Sequence, residues 1–330
     1  MFENEKTTGC LETWELPNKA ISQVFICRNQ ETPVPSRTVM IIIPGNPGVL
    51  QFYKPFAESI VNNAHQVRPT LNLDVIVLQH VGHSLADFSA SESHQESIVH
   101  SWNRYFDASG TPGPLSMDQQ INHKLILFDH IRTLYPKDTR FILCGHSIGC
   151  FMTLAVLRHR SQVGNIEKAI LLFPAIKEIA RTPNGRVMQW ISMWGVRHVV
   201  AFIVMMMRLL FMGFPVILHA ILEYFTGMTS YAIEITTTYL LFQQTGLHTL
   251  TLADWEMKQV LELDFETIKR NHDKLVLYYG PNDQWADESH YKDMKVKFPE
   301  IEAILCKDNV QHGFVVHSSG FMAEKVVQWI

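Results

Sequence analysis

Residues 141–160 read FILCGHSIGCFMTLAVLRHR. The first four are apolar and suit a short strand buried on both faces. From Cys150 onward the residues are apolar and helix-compatible, ending in Arg158-His159-Arg160, cations that complement the C-terminal end of a helix dipole. Between the two lies Gly145-His146-Ser147-Ile148-Gly149, a G-x-S-x-G pattern. Its strand–turn–helix setting gives the motif its meaning: a sharp turn holds the serine out, and the small flanking residues let strand and helix pack closely. The following helix points its positive end at the same spot, which favours developing negative charge. Ser147 is therefore the candidate nucleophile. Gly82-His83-Ser84-Leu85-Ala86 also sets a serine after a strand. The polar stretch beyond it, ADFSASESHQES, is no apolar helix, so Ser84 is read as part of a loop bordering the pocket.

Outward from this motif, apolar runs recur at 38–43 (TVMIII), 74–78 (DVIVL), 169–173 (AILLF) and 274–279 (KLVLYY). Unbroken runs of this length belong to strands covered on both faces. Residues 11–16 and 21–27 predict an N-terminal antiparallel pair joined by a turn at Pro17-Asn18. A helix is predicted over 116–134. Ser116 and Gln119 form a capping box, Met117, Ile121, Leu125 and Phe128 share one apolar face, and Tyr135-Pro136 ends it. Alternating strands and helices imply a mostly parallel α/β sheet. The rhythm changes at Arg181-Thr182-Pro183-Asn184-Gly185, a loop signal, and helices rich in Met, Phe and Leu follow until Lys274. The expected organisation is a core of residues 1–180 and 264–330 with an inserted helical cap at 181–263.

The 330 residues carry a net charge of −4, which leaves no basic field for nucleic acid. Five cysteines, Cys10, Cys27, Cys144, Cys150 and Cys306, are an odd number without metal-ligand spacing. Cys144 and Cys150 read as small buried residues rather than a bridge, and a reducing, cytosol-facing compartment fits. The first residues show no secretory signal pattern.

A nucleophilic serine needs a base and a group that orients the base, in the order Ser, Asp or Glu, His for an α/β-hydrolase fold. Asp283, in Gly280-Pro281-Asn282-Asp283-Gln284-Trp285 after the strand 274–279, stands where such sheets place their chemistry. Its alternative reading is an Asx-turn residue, and Asp287 is the reserve. His312 follows the next strand-like run, 301–306 (IEAILC), and is preferred as base over His317. An oxyanion hole needs two backbone N–H groups: Ile148, next after the nucleophile, and Asn46, in Pro44-Gly45-Asn46-Pro47-Gly48. Pro47 lacks an N–H and cannot donate. No metal or organic cofactor is implied.

Ile43-Pro44-Gly45-Asn46-Pro47-Gly48, Gly145-His146-Ser147-Ile148-Gly149, Leu171-Leu172-Phe173-Pro174, Thr182-Pro183-Asn184-Gly185 and Tyr278-Tyr279-Gly280 with Asp283 and Trp285 together resemble the lipid droplet-associated hydrolases, a branch of the α/β-hydrolases. The resemblance runs from about Thr38 to the C-terminus, strongest in the sheet domain. It implies Ser147 as nucleophile, Asp283 as acid and His312 as base. It also implies residence on lipid droplets and the cytosolic face of the endoplasmic reticulum, with sterol esters or other neutral lipid esters as substrates.

Residues 199–218 read VVAFIVMMMRLLFMGFPVIL, with Arg208 the one charged residue. The length suffices for a membrane span, but a central Arg costs about 2.5–3.5 kcal/mol on insertion scales, and Gly213 and Pro215 break a straight helix. A bent segment lying in one leaflet of a droplet or membrane is expected. The alternative is a cap packed on the sheet domain, lining an acyl pocket. The favoured activity is hydrolysis of carboxylic esters with a long apolar acyl part. Two rivals stand beside it: an acyltransferase using the same triad, and a droplet-binding scaffold with little turnover.

Overall fold

In the computed structural model, residues 9–18, 20–28, 38–83, 114–211 and 213–330 are described; Ser84 and its surroundings lie outside them. Strands β1 (Gly9–Glu15), β2 (Ile21–Arg28), β3 (Thr38–Ile43), β4 (Leu73–Leu78), β5 (Arg140–His146), β6 (Ile166–Leu172), β7 (Leu275–Tyr279) and β8 (Glu302–Leu305) form one eight-stranded sheet, in the order β1-β2-β4-β3-β5-β6-β7-β8. β1 and β2 pair antiparallel, as the Pro17-Asn18 turn predicts, and β2 joins β4 antiparallel. Every other pairing is parallel. This is the mostly parallel α/β sheet expected from the alternating pattern, and the α/β-hydrolase architecture expected from the setting of Ser147 and the family resemblance.

The apolar runs are covered on both sides because each of β2 to β7 feeds two cores. On β3, Val39, Ile41 and Ile43 enter the core on one face of the sheet, while Met40 and Ile42 enter the core on the other. Helices α1 (Lys54–Val67), α2 (Met117–Leu134), α3 (Ile148–Arg160), α10 (Glu288–Lys297) and α11 (Ser319–Val327) flank the sheet. Strand order reverses between β3 and β5, so the loops leaving those two strands part and open a crevice at their carboxyl ends.

α2 has the predicted capping box, with Ser116 accepting from the Gln119 amide and Gln119 from the Ser116 amide. Its buried face differs from the predicted row. Met117 and Phe128 are buried, but Ile121 and Leu125 are only partly so, and Gln120 and Lys124 are fully covered. Tertiary demand explains the rotation: Gln120 bonds both backbone groups of Val81, and Lys124 Nζ donates 2.5 Å to the Gln79 carbonyl. Two polar side chains thereby satisfy the loop leaving β4, which would otherwise bury unpaired peptide groups. All five cysteines are free thiols, Cys144 and Cys150 among the buried ones.

Between β6 and β7 the chain is helical, through α4 (Pro183–Ile191), α5 (Trp194–Phe211), α6 (Pro215–Thr226), α7 (Ser230–Ile235) and α8 (Gln243–Gln259). A one-turn π segment, Thr236–Leu240, follows α7. α9 (Phe265–Arg270) leads back to the sheet. The Thr182-Pro183-Asn184-Gly185 stretch, expected as a loop, is the start of α4. Thr182 accepts from the Gly185 amide and Pro183 occupies the first turn, where its missing N–H has no cost.

α3 crosses the ends of β3 and β5 so closely that a Cβ on Gly149 would lie 2.1 Å from the Ile43 carbonyl oxygen and 2.5 Å from that of Pro44. Backbone atoms cannot give way as a side-chain tip can. Gly149→Ala should therefore destabilise the fold by roughly 1–3 kcal/mol or more, the range for overpacking. Gly195, on α5 with nothing within 4 Å of its hypothetical Cβ, offers the contrast: Gly195→Ala should raise stability by up to about 1 kcal/mol through helix propensity. Chemical denaturation of the two variants checks the opposite signs.

Candidate active site

Ser147 joins β5 to α3 with φ 55° and ψ −123°, a backbone region that a side-chain-bearing residue enters only under constraint. Three features hold it there. The Ser147 amide donates to the Leu172 carbonyl (3.0 Å), the Cys150 amide donates back to the Ser147 carbonyl (3.0 Å), and the two motif glycines remove the Cβ atoms that would push α3 away. A Cβ on Gly145 would come 2.5 Å from Thr153 Oγ1 and 2.7 Å from the Gly149 carbonyl.

Asp283 and His312 are brought to this serine from the ends of β7 and β8. His312 Nε2 stands 2.8 Å from Ser147 Oγ, and His312 Nδ1 stands 2.7 Å from Asp283 Oδ2. A carboxylate only accepts, so Nδ1 carries the proton and Nε2 is free to accept the serine hydroxyl proton. Asp283 Oδ1 accepts from the amides of Trp285 (2.8 Å) and Ala286 (3.2 Å). The Asx-turn reading of Asp283 and its pairing with histidine thus hold together, one oxygen for each. Asp287 is elsewhere, capping α10 by accepting from the Ser289 amide. His317 is exposed, in the turn beyond the short helix Phe314–Val316.

Ile148 is the first residue of α3, so no carbonyl of its own helix can reach its N–H. The loop after β3 runs beside Ser147: a Cβ on Gly45 would lie 2.9 Å from Ser147 Cβ. Asn46 is tied to the inserted helices, its Nδ2 donating 2.9 Å to the Thr249 carbonyl and 2.9 Å to Glu256 Oε1, both on α8. Behind this loop, His83 bonds the Pro47 carbonyl through Nδ1 and the His80 amide donates to the Gly48 carbonyl.

Several contributors carry no recognisable signal in the sequence. Glu256 is one of two acids on a mostly polar helix, with nothing local to set it apart from Asp254, yet it is buried against Asn46. Tyr53, in the short helix Leu50–Tyr53, accepts from the Gly45 amide (2.7 Å) and stands 2.6 Å from His146 Nδ1. His146, a variable position of the motif, reaches the His312 carbonyl through Nε2 (2.8 Å). Phe173, with φ 50°, stacks on Phe314 and lies edge-on to His146 and His312, flooring the site with aromatic carbon. Burial holds the His146 imidazole down to about 3, helped by the neighbouring His312. Among the described residues, no group of three or more His, Cys, Asp or Glu is arranged to hold a metal ion.

Burial pushes the Glu256 carboxyl up from 4.5 to about 7, against the opposing hydrogen bond from Asn46. A raised carboxyl in the folded state means that the unfolded chain loses this proton first. Stability should fall as pH rises between about 4.5 and 7, by on the order of 3 kcal/mol, and level off above. Glu256→Gln should flatten that part of the profile. Melting temperatures of both proteins across pH 4–8 check it.

The sequence and the fold have counterparts. Residues 36–315 match the sequence model of a family described as lipid-droplet associated hydrolase. A lipid droplet-associated hydrolase of Gallus gallus is 30% identical over 298 residues, 89% of this chain and 85% of the relative. That of Homo sapiens is 31% identical over 293 residues, 88% and 83% of the two chains. The crystal structure of haloalkane dehalogenase DbeA from Bradyrhizobium elkani superposes with a TM-score of 0.61 at 10% identity, covering 98% of this chain and 97% of that one, which speaks for the shared fold alone. With a match that spans the loops bearing Asn46, Ser147, Asp283 and His312, the chain belongs to the lipid-droplet associated hydrolase family.

Proposed function

We propose that this hydrolase cleaves carboxylic esters of lipids, sterol esters or other neutral lipid esters, at the surface of lipid droplets. The observation that carries the chemistry is the unbroken line Asp283 Oδ2–His312–Ser147 Oγ, with both contacts at hydrogen-bond length. Ser147 Oγ attacks the ester carbonyl carbon as His312 Nε2 takes the hydroxyl proton. The carbonyl oxygen becomes an oxyanion held by the backbone N–H groups of Ile148 and Asn46. His312 passes the proton to the leaving alcohol oxygen as the C–O bond breaks, and Asp283 stabilises the imidazolium between these steps. Water, deprotonated by the same imidazole, then attacks the acyl-enzyme. The acid departs and Ser147 regains its proton.

The droplet reading rests on the helices between β6 and β7, which we take as the cap at 181–263. An ordinary surface helix turns its apolar side inward; α5 does the reverse. Ala201 is its one buried residue, while Val199, Phe202, Ile203, Met206, Met207 and Leu210 face outward. Arg208 points the other way, donating to the Thr237 carbonyl (2.8 Å) with its guanidinium 3.5 Å from the Phe242 ring centroid. The charge that would resist insertion is thereby taken off the outer face. α5 is long and apolar enough to cross a membrane, yet the chain turns at Gly213-Phe214 into α6, where Val216, Ile217, Tyr224 and Phe225 are also exposed. Trp190 and Trp194, each more than 70% exposed, supply the amphipathic rings that favour a lipid–water boundary. A continuous apolar surface of this kind exceeds what a solvated face carries. It suits a shallow seat in the monolayer of a droplet or in the cytosolic leaflet of the endoplasmic reticulum.

Two experiments test the parts separately. Ser147→Ala should abolish labelling by a fluorophosphonate probe and turnover of a lipid-ester panel presented on droplets, whereas Ser84→Ala should label normally. His312→Ala should lower turnover by on the order of 10⁴-fold or more with the fold intact, and His317→Ala should change little. Labelling that survives Ser147→Ala would overturn the chemistry. For location, Phe202, Met206, Leu210 and Phe214, all roughly half or more exposed, would each gain on the order of 1 kcal/mol on leaving water. Replacing all four with Ser should move the protein from droplets to the cytosol while labelling at Ser147 persists. Retention on droplets would show that the anchor lies elsewhere.

A further inference from the structure

The catalytic loops come from distant parts of the sheet. Asn46 follows β3 and Ser147 follows the neighbouring β5, whereas His312 follows the edge strand β8, with β6 and β7 in between. Asp283 fixes the ring of His312 but not its main chain. One imidazole, His146, sits at the meeting point of all three loops, 5.9 Å from the Tyr53 ring, 5.4 Å from the His312 ring and 4.8 Å from Phe314, centroid to centroid.

The hydrogen bonds around it have only one consistent direction. The His312 carbonyl can only accept, so His146 Nε2 carries the proton and donates (2.8 Å). A neutral imidazole then offers Nδ1 as an acceptor, and the Tyr53 hydroxyl must donate to it (2.6 Å). The phenol oxygen in turn accepts from the Gly45 amide (2.7 Å). The line therefore runs from the peptide before Asn46, through Tyr53 and His146, to the backbone of the catalytic base. Tyr53 and His146 are both buried, so no bulk water substitutes for a missing member.

Resting on the site reading above, we propose that His146 and Tyr53 are positioning residues that lock the oxyanion loop and the His312 loop into one register about Ser147. Gly45 is required in this arrangement, because a Cβ there would approach His146 Nδ1 to 3.2 Å as well as crowding Ser147. The relay also predicts which half of the chemistry each side chain serves. The Tyr53 end sets where the Asn46 N–H meets the oxyanion. The Nε2 end sets where the base meets the Ser147 hydroxyl.

The two ends can be cut separately. Tyr53→Phe keeps the ring and removes the hydroxyl. His146→Gln retains a donor near Nε2 but offers no acceptor to Tyr53. His146→Asn retains an acceptor near Nδ1 but cannot reach the His312 carbonyl. Each is assayed with a short-chain p-nitrophenyl ester and its thionoester, whose sulfur is the poorer hydrogen-bond acceptor in an oxyanion hole. All three should lower kcat by about 10–100-fold, less than the outright loss of an oxyanion donor, with KM little changed. The oxygen-to-sulfur rate ratio should collapse toward one in Tyr53→Phe and His146→Gln and stay at the wild-type value in His146→Asn. Tyr53→Phe combined with His146→Gln should be no slower than the worse single variant, since both cut the same link. Melting curves screen out misfolding, and if one of the first two variants fails to fold, the other carries the same test. An unchanged rate ratio in Tyr53→Phe or His146→Gln, or full additivity of the two, overturns the relay while leaving the triad standing. Wild-type protein that does not label at Ser147 overturns the site reading and the relay with it.

Discussion

At Ser147 the chain passes from β5 into α3 with φ 55°, and the rest of the site is arranged around that one uncomfortable residue. A non-glycine backbone in such a region costs roughly 1–3 kcal/mol. It persists because the packing on either side allows no alternative. Gly149 lets the helix sit directly against the Ile43 and Pro44 carbonyls, and Gly145 on the strand leaves room for Thr153 of the helix. Relaxing the turn would pull α3, with Ile148, Met152, Leu154 and Val156, off the core it shares with α2. The reward is an oxygen that projects from the sheet toward His312 and an N–H, on Ile148, that no helical carbonyl can reach.

Everything brought to that serine arrives on a loop, and loops need anchoring. In a water-poor interior, anchoring means satisfied polar groups. Asp283 is held by two amides while it holds His312. The loop after β3 is held by Tyr53, by His80 and His83, and through Asn46 by Thr249 and Glu256. The last of these contacts gives the inserted helices a grip on the loop beside Ser147. α8, which supplies Thr249 and Glu256, also packs against the outward-apolar α5. The outward apolar surface and the loop bearing Asn46 are therefore two sides of one helix pair, with a carboxyl buried at cost between them.

α5 inverts the usual arrangement of polarity. Arg208 is drawn inward onto Phe242 and the Thr237 carbonyl, while Phe202, Met206 and Leu210 are left outside. A helix of this composition in a water-soluble protein would bury those side chains against the sheet. Here the sheet's two faces are already covered by its own helices.

Much of this was legible in the amino-acid sequence, for a definite reason. Strand runs such as TVMIII and the Ser116–Gln119 capping box are local, and their physics is complete within a few residues. The order of Ser147, Asp283 and His312 was legible because a parallel sheet delivers the loops after successive strands to one edge. The preference for His312 over His317 followed from position along the chain. What tertiary structure alone decided was the partner of each buried polar group. The row Met117, Ile121, Leu125, Phe128 looked like the inner face of α2, but the carbonyls of Gln79 and Val81 required Lys124 and Gln120 instead. Glu256, Tyr53 and His146 carry no local signal of their partners. Their roles arise from contacts 93 to 210 residues apart in the chain. Periodicity records which side chains avoid water. It holds no record of which distant carbonyl or amide a buried hydroxyl, imidazole or carboxyl will meet, because that pairing exists only once the sheet has brought the loops together.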